Sequence, residues 1–339
     1  MTEPASYRTS FLLPVRNGAA TLDQALQSVG EQTDPDFEVV IVDDGSTDES
    51  FAIATSWPDP RFRVLQQPPK GLVSALNYGL SQCRGEFIAR MDADDLALPE
   101  RLELQLPILD DPTIGAVDGQ VQFFRDQGHV PAGMRHYESW VNQVLSPRDF
   151  DRELLVESPI VHPAVTFRKS VVQDLGGYRD GDFPEDYDLW LRLHAAGYQL
   201  RKVERLLVRM RDRPQRLTRT DDRYRRDAFR GLRQWWLKQT VMAQPRRVAL
   251  WGAGKQCRPW MRWLVDNKHN VVAIIDIDPA KIGKTRRGTP ITLPEDLPRL
   301  EIDICLVAVG ARGARPIIRQ ALRELRPDWE EGRDWWAVC

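Results

Sequence analysis

The stretch that decides the fold is GEFIARMDADDLALPERLELQL, residues 85–106. It opens as a short apolar strand, Glu86 to Met91, and runs without a break into Asp92-Ala93-Asp94-Asp95. Pro99 then stands where a helix starts, a position at which the missing N–H is no loss. A strand that ends in carboxylates and feeds a helix is the unit of a parallel α/β sheet, whose ligands gather at the strands' C-terminal ends. The same unit recurs upstream. Thr9 to Val15 predicts a strand, followed by a helix with Thr21 as N-cap, Gln24 three residues on, and Leu22, Ala25, Leu26 and Val29 along one face. Phe37 to Val42 is a mainly apolar run ending in Asp43-Asp44-Gly45-Ser46, as a strand buried on both faces reads. Phe62 to Leu65, then a helix carrying Leu72, Leu76, Leu80 and Cys83 and closed by Gly85, completes the set.

Downstream the pattern is less regular. Strands are expected at Ala116 to Phe124 and Ala164 to Arg168, and a helix from Tyr187 to Ala196. The arginine-rich stretch 201–238 predicts a helix in its second half. A new β-α-β pattern starts at Arg246, with strands at Val248 to Trp251, Val271 to Ile275 and Ile304 to Val309. Three parts are therefore expected: an α/β domain over 1–215, a basic connector over 216–245 and a smaller α/β domain over 246–339.

The chain has 339 residues, 42% hydrophobic and 28% charged, the balance of a globular protein with a sizeable core. No apolar run approaches the ~18–20 residues of a membrane span, and the N-terminus has no basic and apolar leader. Cys83, Cys257, Cys305 and Cys339 lie far apart, without metal-type spacing. A disulfide scaffold, a zinc finger and a membrane span are poor readings, and a cytoplasmic location is expected. The net charge of -2 hides an asymmetry: residues 1–200 carry -16, residues 201–238 carry +9 and residues 246–339 carry +5. An acidic first part suits a cation site rather than a nucleic-acid surface, and the basic segment asks for an anionic partner, which is either a membrane surface or the acidic domain itself.

Asp92 and Asp94 sit on alternate residues of an extended loop, so both can hold one hard divalent cation, Mg²⁺ or Mn²⁺, and leave positions for diphosphate oxygens. The same acids also fit a solvated turn. Asp43-Asp44-Gly45 can receive hydrogen bonds from a nucleobase or ribose, or form an ordinary turn. Pro14-Val15-Arg16-Asn17-Gly18 ends a strand in the same layer, and three polar strand ends on one rim make a cleft. Glu185-Asp186 precedes a helix and serves either as its N-terminal charge or as a base.

Together FLLPVRNGAATLDQALQSVGEQT, FEVVIVDDGSTDES, KGLVSALNYGLSQCRGEFIARMDADDLALPERLELQL and HPAVTFRKSVVQDLGGYRDGDFPEDYDLWLRL resemble the family-2 glycosyltransferases of the GT-A fold over about residues 8–215. The resemblance implies a nucleotide-sugar donor, a divalent metal, inversion at the anomeric carbon, and a role in bacterial surface or secreted glycan assembly on a glycan or lipid-linked acceptor. It implies that Pro14, Arg16, Asn17, Asp43, Asp44, Lys70, Arg90 and Asp92 lie on the nucleotide side, with Asp44 the base-contacting acid. Asp94 becomes the direct metal ligand, with Asp92 beside it, and Asp186, paired with Glu185, the catalytic base. His162 falls on the acceptor side. Arg211 and Arg213 fall where relatives close over the diphosphate, Arg213 standing in a histidine's place.

Gly252-x-Gly254-x-x-Cys257, with Asp276 22 residues past Gly254, has the context of a dinucleotide-binding fingerprint, except that Cys257 replaces its third small residue. Gly310 and Gly313 follow a later strand. The segment resembles small Rossmann-like domains attached to sugar-modifying enzymes. About 94 residues leave no room for a dehydrogenase with its own substrate domain, so a packing or ligand-sensing module is expected there. The competing functions are an NAD-dependent oxidoreductase built on this segment and a nucleotide-sugar binding protein with a degenerate transferase domain. Intact Asp44, Asp92, Asp94 and Asp186 weigh against the second.

Overall fold

The computed structural model of the chain describes residues 7–214 and 216–339. It divides into two compact units. One comprises the residues up to Pro147 with Pro159–Phe229, the other Arg148–Ser158 with Arg230–Cys339. Residues 216–245, expected as a separate connector, are thus shared between the units, and 148–158 fall in the second.

The first unit is built on an eight-stranded mixed sheet: β1 Thr9–Val15, β2 Phe37–Asp43, β3 Phe62–Gln66, β4 Phe87–Arg90, β5 Leu96–Ala97, β6 Ile114–Phe124, β7 Thr166–Arg168 and β8 Gln199–Arg211. Its order is β3-β2-β1-β4-β7-β6-β8-β5. β3, β2, β1 and β4 run parallel, while β7 is antiparallel to both β4 and β6. Every residue of β1 and β2 is buried, which is why these strands are mainly apolar, and the buried Glu38 accepts from Ser10 Oγ at 2.8 Å. Phe11, Leu13, Phe37, Val39 and Ile41 pack there with Leu22, Leu26 and Val29 of the helix Ala19–Gly30.

The second unit holds β9 Arg247–Trp251, β10 Asn270–Ile275, β11 Thr285–Arg286, β12 Thr289–Thr292, β13 Ile304–Val307 and β14 Trp335–Ala337. Its order is β11-β12-β10-β9-β13-β14. Without the hairpin strand β11 this is the 3-2-1-4-5 order of a doubly wound parallel sheet. Residues 148–158 are tied into this unit by charge: Arg315 and Arg319 donate to Glu153 at 2.5 and 2.6 Å, and Arg319 also donates to Glu331 at 2.8 Å.

Three local expectations are corrected. Thr21 is not an N-cap: the helix starts at Ala19 behind Gly18, and Thr21 lies in its first turn. The helix Leu72–Gln82 ends before Gly85, and a Cβ on Gly85 would lie 2.5 Å from the backbone of β1, so glycine is there for strand approach. Pro99 precedes the helix Arg101–Leu109 rather than opening it. The helix expected in the second half of the basic stretch is Arg226–Gln239, while its first residues, 201–211, belong to β8. The β8 strand hides in sequence because its charges are matched by the fold. Lys202 is buried against Asp118 of β6 at 2.6 Å, and Arg209 and Arg211 lie over the Phe124 ring.

Candidate active site

β1, β2 and β4 end on one side of the first sheet, and their loops interlock. Asn17 adopts a left-handed backbone (φ 53°), and its Oδ1 accepts from the Thr47 N–H at 2.8 Å. Gly18 N–H donates to Ser50 Oγ at 2.8 Å. Asp44 is buried and fully engaged: it accepts from Gln67 Nε2 at 2.7 Å, Lys70 N–H at 2.8 Å and Gly71 N–H at 2.9 Å. It therefore holds the 67–71 loop, with the half-exposed Arg16 guanidinium 3.9 Å away. Gly45 (φ 69°) admits that loop, since a Cβ there would lie 2.7 Å from Pro69. Asp43, also buried, accepts from Ser46 N–H at 3.2 Å. Pro14 is buried within β1, and the Lys70 side chain is exposed.

Beyond β4, carboxylate oxygens of Asp92, Asp94 and Asp95 lie within 4.8 Å of one another. Asp95 is 1% exposed; one of its oxygens accepts from the Arg211 N–H at 2.7 Å, and the other is buried with no hydrogen-bond partner. Burial and the Asp92 charge push the Asp94 carboxyl above the usual range, and burial with both neighbours pushes Asp95 well above it. Asp92 escapes: burial pushes it up, but Arg90 at 2.6 Å more than offsets this and holds it low. Three crowded carboxylates with an orphaned oxygen fit a hard divalent cation, Mg²⁺ or Mn²⁺.

Arginines surround this cluster. Arg213 Nε stands 3.4 Å from Asp94, and its Nη2 donates to Thr21 Oγ1 at 2.6 Å. Arg211 is buried and committed: it donates to the Asp94 carbonyl at 3.0 Å, to Gln24 at 2.6 Å and to Asp126. Arg211 thus props the acidic turn with donors that are already committed. Thr21 and Gln24, which read as a capping box, are the anchors of these two arginines. Arg216, which no motif singled out, adds positive charge near all three acids and has a buried Nη1 without a hydrogen-bond partner. Arg101 was also missed. It is fully buried and donates to the carbonyls of Arg90 (2.8 Å), Pro163 (2.9 Å) and Val165 (2.9 Å), fixing the end of β4.

The acid pair opens the helix Glu185–Ala195 and splits into two different groups. Glu185 is 1% exposed and accepts from Tyr224 Oη at 3.0 Å. Asp186 is half-buried, and burial together with the Glu185 charge pushes it up to about 7, against the opposing pull of Arg90. Arg90 is therefore a buried cation shared between the metal-type cluster and the acid pair. His162 is buried, 2.9 Å from Tyr178 Oη and edge-on to Trp190; burial and Arg90 push its pKa well below the usual value, so it is neutral.

Of the basic segment, Arg219 donates to Asp212 at 2.5 Å, Arg223 to Asp221 at 3.1 Å, and Arg233 to the Val338 carbonyl at 3.3 Å. Arg225 and Arg226 stay exposed. Among the described residues no helix is long and apolar enough to cross a membrane. In the second unit the fingerprint acid Asp276 is already satisfied: it accepts from Ala253 N–H at 2.7 Å and Asp278 N–H at 2.9 Å, with Lys281 Nζ at 3.2 Å.

A family model described as glycosyl transferase family 2 matches residues 10–176, and one described as C2185-like, N-terminal, matches residues 244–326. Over 194 residues the chain is 34% identical to the amylovoran biosynthesis glycosyltransferase AmsE of Erwinia amylovora, covering 56% of this chain and 70% of that one. Over 202 residues it is 30% identical to an Escherichia coli UDP-Gal:alpha-D-GlcNAc-diphosphoundecaprenol beta-1,3-galactosyltransferase, covering 58% and 70%. In fold it is similar to S. aureus TarS 1-349 in complex with UDP-GlcNAc, with a TM-score of 0.53, 18% identity, and coverage of 69% of this chain and 67% of that one. It is also similar to the mannosyltransferase PcManGT of Pyrobaculum calidifontis in complex with GDP-Man and Mn²⁺, with a TM-score of 0.50, 20% identity, and coverage of 78% and 70%. With the sheet order, the acidic turn after β4 and the interlocked strand-end loops, these likenesses place the chain in the family-2 glycosyltransferases of the GT-A fold.

Proposed function

We propose that the chain moves a sugar from a nucleotide-sugar donor to an acceptor hydroxyl with inversion at the anomeric carbon, and that Asp186 is the base. The contrast within the acid pair carries this reading. Glu185 is buried and spent on Tyr224, whereas Asp186 is half-buried with its carboxyl raised to about 7. A carboxylate of that affinity is matched to taking a hydroxyl proton near neutral pH. Direct displacement by that oxygen inverts the anomeric centre.

Asp92, Asp94 and Asp95 would hold Mg²⁺ or Mn²⁺, which when bound offsets the negative charge growing on the leaving diphosphate. Arg213 and Arg216 add fixed positive charge on the same side. Asp44 acts through the loop it holds, so that Arg16 and the Lys70–Gly71 backbone edge the nucleotide's place. The buried, neutral His162 stiffens the wall behind Arg90 through Tyr178 and does not carry protons. The relatives' names support polysaccharide assembly on a lipid-linked or glycan acceptor. We place the reaction in the cytoplasm, with peripheral contact at an anionic membrane carried by Arg225 and Arg226. The second unit acts as a packing or ligand-sensing module without hydride chemistry, since Asp276 is spent on its own loop.

The test is a thermal-shift and turnover screen of UDP-, GDP- and dTDP-sugars with Mn²⁺, followed by NMR of the product. An anomer opposite to that of the donor supports the reading. Retained configuration sinks it.

A further inference from the structure

The acid pair and the segment that supports it both lie beyond the family match, residues 10–176. Tyr224, in the short turn Asp222–Tyr224, donates its hydroxyl to both oxygens of Glu185, at 3.1 and 3.0 Å. Arg223 reaches the same carboxylate at 3.7 Å while its Nε binds Asp221 at 3.1 Å. Phe229 packs on Tyr187, the next residue of the pair's helix, with ring centroids 5.4 Å apart. Glu185 has almost no water of its own, so this hydroxyl and guanidinium replace its hydration.

We propose that Tyr224 is a positioning residue for the catalytic base, acting on Asp186 through Glu185. The proposal rests on the reading of Asp186 as the base. Burial pushes the Glu185 carboxyl up, and the Tyr224 hydroxyl and Arg223 guanidinium oppose that rise, so removing a donor makes it take up a proton more readily. A charged Glu185 in turn raises the proton affinity of its neighbour Asp186. The groups facing the pair are Tyr224 and Arg223 from the turn, Arg90 from β4, whose charge opposes the rise, and Tyr178 from the loop before the helix. Tyr224 therefore sets how strongly Asp186 pulls on the acceptor proton without touching the substrate.

The test uses the full chain and Mn²⁺-dependent hydrolysis of UDP-galactose, UDP-N-acetylglucosamine or GDP-mannose, with water standing in for the acceptor. Rates are followed from about pH 5 to 9 for Y224F, R223Q, E185Q, D186N and the double variant Y224F/E185Q. Y224F is expected to keep its donor KM, to lose roughly tenfold in plateau kcat, and to move the acid limb of the profile to lower pH. The sign follows from Glu185: without its donor it becomes neutral, Asp186 loses a like charge and is deprotonated at lower pH. E185Q moves the limb the same way, and R223Q does so by less. Adding Y224F to E185Q moves it no further, because the relay is already cut. An unmoved limb in folded Y224F and R223Q overturns the proposal, as does a full additional shift in the double variant. The underlying reading fails separately, through D186N: undiminished turnover there means that Asp186 is not the base, whatever Tyr224 does.

Discussion

Both units carry aspartates where parallel strands or a helix meet their loops, yet the two sets are in opposite electrostatic states. In the second unit Asp276 is surrounded by donors, and the N–H groups of Asp278 and Ala253, with Lys281, overcome burial and hold its carboxyl below the usual range. In the first unit Asp94, Asp95 and Asp186 are all pushed upward by burial and by neighbouring carboxylates, and one Asp95 oxygen is orphaned. A self-satisfied loop is stable as it stands. A loop that crowds like charges is stable only because the rest of the domain holds it there, and it is relieved when a cation or a proton arrives. We read the difference as that between a cluster proposed to take up a cation and a turn whose charge is met within its own chain.

The largest effect that sharpens this contrast is at Asp186. D186N keeps the shape but cannot accept a proton, so kcat should fall by roughly 10²–10⁴ while donor affinity, read by calorimetry, stays near that of the parent. If E185Q shows the large loss instead, the wrong acid of the pair carries the chemistry. Next comes D94A, which removes a carboxylate from the crowded cluster. Mn²⁺-dependent UDP or GDP affinity should drop by more than roughly 100-fold, beyond the loss expected for an outer partner of a metal site. Metal-independent behaviour of both proteins would show that the cluster is only a strained turn.

A smaller, opposite outcome is expected in the second unit. D276N leaves turnover unchanged but weakens the glycine loop, destabilising the unit by about 1–3 kcal/mol in thermal unfolding. The pH sign follows from the depressed carboxyl: this stabilisation is present above the unfolded aspartate's pKa, ~3.9, and is lost as pH falls through the lower folded value. Tight NAD(H) binding that vanishes in D276N would erase the distinction between the two sets. The smallest effect concerns the basic segment, whose Arg219, Arg223 and Arg233 already have internal partners. Charge reversal at Arg225 and Arg226 should weaken co-sedimentation with anionic vesicles at low salt by about 1 kcal/mol per residue. Absence of vesicle binding in the parent chain would leave the whole segment an internal support.

The sequence alone determined the strands β1, β2 and β4, because a strand buried on both faces is written mainly in apolar residues. It also marked Asp92, Asp94, Glu185 and Asp186, since their order and spacing match a family pattern whose chemistry needs acids at those strand and helix ends. The arginine-rich β8 strand was not legible, for its charges are matched only across the sheet, Lys202 by Asp118 and Arg211 by Asp94, Gln24 and Asp126. Thr21 and Gln24 spelled a helix cap locally and became anchors for arginines nearly two hundred positions away. Which member of the acid pair is spent and which is open, that Asp95 completes the metal-type cluster, and that Tyr224 stands behind Glu185 were decided by tertiary structure alone. Sequence reports what a residue can do, but burial and the donors brought beside it by distant segments set what its charge costs, and hence which role remains.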